Sequence, residues 1–231
     1  MRTIGLCLIL VTAASAQRFS SSSWNVKDHE VTAIFGPPKT APILTGAPYS
    51  ADEVQEYRPP DGRSDARIGV IGHFARDSQG RTRMARAYKP APIWLTEIFD
   101  PVAGVAYLLD DQKKIAHRMP LPPAPAASPP AAEDPRTTIE KLGSQQLEGV
   151  LAEGIRREFR KSGTSGPPVM TVETWESPDL KLTLLTKSSN GYTSRLTNVN
   201  RSEPSPSLFQ PPHDYSVVDD LGPFPMAVQF Q

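Results

Sequence analysis

Four arginines stand within eleven residues in "RDSQGRTRMAR", Arg76 to Arg86. A cluster of this kind is raw material for a phosphate-binding or nucleic-acid-binding arm, because guanidinium forks pair bidentately with phosphate. It also has a plainer use. Asp77-Ser78-Gln79-Gly80 is a good turn sequence. On the strand that follows, Arg81 and Arg83 lie on the same side. Glu97, Asp100, Asp110 and Asp111 come next along the chain as charge partners across strands. A solvated face with cross-strand pairs is therefore the favoured reading of the cluster. A formal net charge of +0 points the same way, since nucleic-acid binders normally carry a basic excess.

The remaining reactive residue types do not assemble by spacing. His29, His73, His117 and His213 are far apart, and Asp28-His29-Glu30 has no second cluster to complete a metal site. There is no Gly-x-Ser-x-Gly elbow, no phosphate loop and no dinucleotide fingerprint. Glu173 and Glu176 flank Trp175, but on a strand only Glu173 shares the tryptophan's face. No catalytic residue, metal ligand or cofactor is assigned. A non-enzymatic protein is expected.

The elements that must carry these residues begin with "MRTIGLCLILVTAASAQ". Arg2 gives a positive start, Ile4 to Val11 a short apolar run, and Ala14-Ser15-Ala16 a small-residue cleavage site. Cleavage after Ala16 is expected, with a periplasmic or secreted product. The apolar run is too short to span a bilayer, and no later segment is long and apolar enough to do so. Cys7 lies inside the leader, so the mature chain has no cysteine and no disulfide.

Hydrophobic residues make up 38% of the chain and there are 25 prolines, which argues against a helical bundle. Residues 17–66 read as an irregular N-terminal segment. It holds a candidate strand at "VTAIFG" and a candidate short helix capped by Ser50, with Asp52 and Glu53 in its first turn and Pro59 at its end. Residues 67–219 read as an antiparallel β domain. Hairpins are expected around Asp77–Gly80, around Asp100-Pro101, and at Asn190-Gly191, the last a strong hairpin signal. Proline and alanine dominate 120–136, which is expected to be an extended, solvated loop. Residues 142–161 suit either a helix or a hairpin. Gly143, Gly149 and Gly154 favour the hairpin, because each weakens a helix by about 1 kcal/mol relative to alanine. Residues 220–231 read as a C-terminal tail. The fold class is mainly β, one curved antiparallel sheet with few short helices.

Several phrases, among them "IFDPVAGVAYLLDDQKKIAHR", "LGSQQLEGVLAEG", "ETWESPDLKLTLLTK" and "NVNRSEPSPSLFQPPHDYSVVD", resemble a group of uncharacterised bacterial exported proteins. Their order is similar in outline to the superfamily of periplasmic outer-membrane lipoprotein carriers. The shared end is a Trp-containing strand (Trp175), a strand with Leu180 to Leu184, a hairpin, and Phe209 with Pro211 and Pro212. That resemblance implies an open half-barrel able to hold acyl chains. The proline-alanine insertion and the lack of obvious lid helices depart from the carrier pattern.

Three functions follow. The first is an apolar-ligand binder, for an acyl chain, a lipid or a lipoprotein, with Trp94, Tyr107, Trp175, Leu180, Leu182 and Leu184 lining the curved sheet. The second is a protein-interaction module with no cavity. The third is a hydrolase whose site converges only in space. An open apolar groove favours the first, a filled core the second, and a cleft with a paired carboxylate or histidine the third. Oligomeric state is open.

Overall fold

Alternation of apolar and polar side chains organises most of the described chain. A computed structural model describes residues 18–27, 30–39, 41–62, 67–88, 93–123, 137–161 and 166–229. The expected leader and residues 124–136 of the proline-alanine stretch lie outside the described residues. The strands are β1 (Arg18–Lys27), β2 (Glu30–Lys39), β3 (Tyr49–Tyr57), β4 (Arg67–Arg76), β5 (Thr82–Tyr88), β6 (Ile93–Asp100), β7 (Val105–Asp110), β8 (Ile115–Pro120), β9 (Thr137–Leu147), β10 (Val150–Phe159), β11 (Met170–Ser177), β12 (Leu182–Ser188), β13 (Tyr192–Asn200), β14 (Ser216–Asp219) and β15 (Phe224–Gln229). Among the described residues the sole helical element is a 3-10 turn, Pro206–Phe209.

Twelve strands form one sheet in the order β14-β8-β7-β6-β5-β4-β3-β13-β12-β11-β10-β9, and β1, β2 and β15 form a second. The large sheet is curved, mostly antiparallel, and not closed into a barrel. The exception to antiparallel pairing is β14, which runs parallel to β8. The expected hairpins form at β4–β5, β6–β7 and β12–β13. The ambiguous 142–161 stretch is the β9–β10 hairpin. Its turn is Glu148-Gly149, with φ of 49° and 73°. Two consecutive residues in the left-handed region match the twist of the flanking strands, and glycine takes the second at no steric cost.

Strands β6 and β7 are buried on both faces. Ile98 and Phe99 are adjacent and both covered, as are Leu108 and Leu109. One face packs under the three-stranded sheet, where Phe19, Ala33, Phe35, Phe224 and Met226 meet Leu95, Phe99, Ala106, Leu108 and Met119. The other face packs under the 206–215 segment through Phe209 and Tyr215. A continuous apolar run such as "VAYLL" is what a doubly covered strand requires.

Three sequence expectations are corrected here. The candidate helix after Ser50 is strand β3, lying between β4 and β13. Tyr49, Ala51 and Glu53 alternate inward, and Asp52 and Glu53 find cross-strand partners rather than a helix terminus. Segment 17–66 is not irregular, since it supplies β1, β2 and β3. The tail 220–231 contains β15, which pairs with β2 and closes the smaller sheet. For β2, β3 and β15, pairing with a strand distant in the chain outweighs local propensity.

Candidate functional site

The arginine cluster serves mainly as internal bracing. Arg76 donates to the carbonyls of Ala47 and Leu180, and its guanidinium lies over the Tyr49 ring. Arg81 pairs with Asp77 of its own turn. Arg86 is buried and donates to Glu53 at 2.9 Å. It reaches that partner across β4 at Gly72, which pairs with both Arg86 and Glu53. A Cβ at Gly72 would stand 2.5 Å from the Phe74 ring, so only glycine leaves this passage open. The structural use of the cluster holds: Arg81 and Arg83 are half-buried on their shared side, while Arg76 and, on the opposite side of the strand, Arg86 are covered. Among the expected carboxylates, Asp111 acts on the cluster through its charge on Arg83.

The six residues named for an apolar site divide. Leu180, Leu182 and Leu184 are each 2% exposed and share one cluster with Tyr49, Ala51, Phe74, Met84, Val150, Ala152 and Leu196. Trp175 packs on that cluster with its ring over Gly154. Trp94 stands elsewhere, stacked on His73 with ring centroids 5.2 Å apart. Tyr107 packs with Ile98, Leu109 and Phe209. The leucine row is therefore closed core at its own position, with no groove over it.

The face that carries this cluster, which we call the inner face, runs on past its cover. Directly paired residues share a face. A polar row comes first: Arg86, Glu53, Ser194, Thr186 and Thr174 are all buried, and Ser194 Oγ donates to Glu53 at 2.7 Å. Beyond it the pairings place Tyr57 beside Tyr192, Thr174 beside Ile155, Phe159 beside Met170, and Arg157 between Val172 and Ile139. Here most apolar side chains are only partly covered: Tyr57 is 43% and Ile139 37% exposed, while Val172 is buried. Ile155, Phe159, Met170 and Tyr192 are intermediate. Burial, and then the charge of Glu53, push the Tyr192 hydroxyl up to about 12, so it stays protonated. The opposite face at the same level is a charge ladder. Arg156 donates to Glu140 at 2.8 Å and to Glu173 at 2.7 Å. Over β9 to β11 the outer face carries charges while the inner face is apolar and incompletely covered; over β3 and β4 the outer face itself exposes Ile68 and Val70.

A second feature lies on the outer face. A cleft of about 380 Å³ is lined by Ser50, Asp52, His73, Ala75, Arg83, Asn198, Asn200 and Leu208, among others. Asp52 and His73 are direct cross-strand partners, with Asp52 Oδ1 at 2.6 Å from His73 Nδ1. Asn198 donates its amide to Asp52 Oδ2 at 2.8 Å, and its backbone N–H donates to Glu148 at 3.1 Å. Asn198 has φ of 54°, where β13 slips register against β3. Such an arrangement holds the imidazole in place through one nitrogen. Sequence reasoning missed it because Asp52 was read on a helix; with β3 as a strand, Asp52 opposite His73 is the signal.

Asp52 is held below the usual carboxylate range, first by the Asn198 amide and further by His73, against the opposing effect of burial. A carboxyl depressed in the folded state contributes stability above its unfolded pKa, and that contribution is lost as pH falls through the folded value. Asn198→Gly keeps the left-handed backbone and deletes the amide. Its expected result is a rise of the Asp52 pKa, read by carboxyl NMR titration, and an acid limb of stability displaced to higher pH. An unchanged Asp52 titration would remove Asn198 as the cause.

No family model matches the chain, and no curated protein matches it. Among solved structures it is similar to PNGF-II in two crystal forms. In the C2 form the TM-score is 0.32 at 10% identity, over 76% of this chain and 31% of that one. In the P21 form it is 0.32 at 11% identity, over 76% and 32%. The chain thus spans about a third of the length of PNGF-II. A DUF1329 family protein from Desulfovibrio piger is similar at a TM-score of 0.20 and 10% identity, over 73% of this chain and 91% of that one. At these values the likenesses carry no argument about this chain.

Proposed function

We propose that the protein is an exported, non-enzymatic binding protein that takes an acyl chain, free or carried by a lipidated partner, on the uncovered end of the inner face. The observation that supports this is the pairing of a charged outer face with an inner face whose Tyr57, Ile139, Ile155, Phe159 and Met170 run on past the closed core. Apolar surface left in water on one side of a sheet favours an apolar cover. Removal of that surface contributes roughly 25 cal/mol per Å², about 0.8 kcal/mol per methylene. Arg157 lies in the same strip between Val172 and Ile139. Its guanidinium suits the carboxylate of a free fatty acid.

The test uses protein from its native envelope, with Gln17 read as the first residue. A long-chain fatty acid is titrated by calorimetry. Saturable binding is expected in wild type and in Glu140→Gln, which alters the outer face. Ile139→Asp should remove binding and leave the melting curve in place, since this side chain is already partly in water. No binding by wild type, or equal binding by Ile139→Asp, would overturn the proposal. A partner protein docking along β9 would then lead, because that strand is paired on one side only.

A further inference from the structure

Three of the four clustered arginines are held by short contacts to the protein's own oxygens, and Arg83 has a single long one. It runs 3.3 Å from Nη1 to the Leu208 carbonyl. Among the described residues no carboxylate stands within ion-pair distance of it. Asp111, whose charge acts on it, accepts the hydroxyl of Tyr215. Burial strips water from the guanidinium and pulls its pKa down. A half-buried cation with one long bond has donors to spare.

The surroundings of Arg83 form one row across four strands. Arg83 pairs with Ala75, Ala75 with Ser50, and Ser50 with Asn200. All four line the same cleft, with Asp52, His73 and Asn198 along its side. Ala75 is a low floor between taller neighbours. Arg83 and Ser50 are two strand spacings apart, roughly 10 Å between backbones, a gap that the arginine side chain and a ligand oxyanion fill together. The amide oxygen of Asn200 accepts the Ser202 N–H, which leaves its NH2 group for a ligand. The Ser50 hydroxyl makes no hydrogen bond among the described residues.

The geometry points to a binding site for a monoanionic carboxylate in this cleft, gripped by the Arg83 fork and capped by donors from Ser50 and Asn200. One guanidinium balances one charge. A dianion such as a phosphate monoester would bring its second charge towards Asp52, which is ionised along the side of the same cleft, and like charges there oppose binding. The site lies on the opposite face from the acyl-chain strip and is independent of it.

The experiment titrates the full protein with acetate, with inorganic phosphate, and with an N-acetylated dipeptide bearing either a free or an amidated C-terminus, followed by amide NMR shifts of β3 to β5. Acetate and the free-terminus peptide should give saturable shifts at Ser50, Ala75 and Arg83. Tighter binding of the peptide would identify a chain terminus as the source, and equal binding a small free acid. Phosphate should bind more weakly than acetate. Arg83→Gln should weaken carboxylate binding about ten-fold or more, the usual size for a charge-assisted contact. Arg83→Lys should recover part of it, and neither variant should lower the melting temperature. Equal shifts from the amidated peptide, no saturable shift from any carboxylate, or unchanged binding by Arg83→Gln would overturn the assignment.

Discussion

Leu182→Glu is expected to unfold the protein. Leu182 is 2% exposed, and its cluster joins side chains from β3, β4, β5, β10, β12 and β13, so a carboxylate there meets no water and no partner. Burying an unpaired polar or charged group costs several kcal/mol. A domain of this kind has only about 5–15 kcal/mol to lose. Loss of the lost leucine's own packing adds about 2–5 kcal/mol. Far-UV circular dichroism and urea unfolding check this. A cooperative transition within about 1 kcal/mol of wild type would mean that the row opens to solvent, and the leucines would return as candidates for the ligand surface.

The buried ion pair of Glu53 and Arg86 should show the largest non-additivity in the molecule. Glu53 accepts from both Arg86 and Ser194, while Arg86 Nε is buried without a partner. The pair is thus necessary to each member yet not fully satisfied. Glu53→Leu leaves the guanidinium buried and unpaired, and a loss of about 3–5 kcal/mol is expected. Glu53→Leu with Arg86→Met removes both charges and keeps the volume, and should restore most or all of that loss. Denaturant unfolding of both single variants and the double variant reads the coupling directly. Additive losses would mean that the two side chains act separately, and that the Gly72 passage does not couple them.

How much of this could be read from residues alone differs by element. Asn190-Gly191 and Glu148-Gly149 mark their hairpins because turn chemistry is local: left-handed backbone favours glycine wherever the strands lie, and Gly149 and Gly191 both take it. The alternation of Leu182 and Leu184 with Thr183 is local too, and correctly orients β12. Strand β3 was not legible. Asp52 and Glu53 mimic an acidic helix start, and the partners that make them strand residues, His73 and Arg86, lie beyond a loop and a second turn. Likewise β15 is a short proline-containing tail until β2 is beside it.

From its own order of residues the chain determined that it is mainly β, where its hairpins turn, and which side of β12 is apolar. Each of these rests on backbone geometry within a few residues. Only the tertiary structure decided which apolar surface is covered. Leucines at 182 and 184 and the isoleucine at 139 look alike in an alternating pattern, yet the first two are sealed and the last is partly in water. The same holds for the arginines, where Arg76 and Arg86 are buried against oxygens far along the chain and Arg83 is half-buried with one long bond. Alternation sets the face of a side chain, and the curvature and pairing of distant strands set what lies against that face.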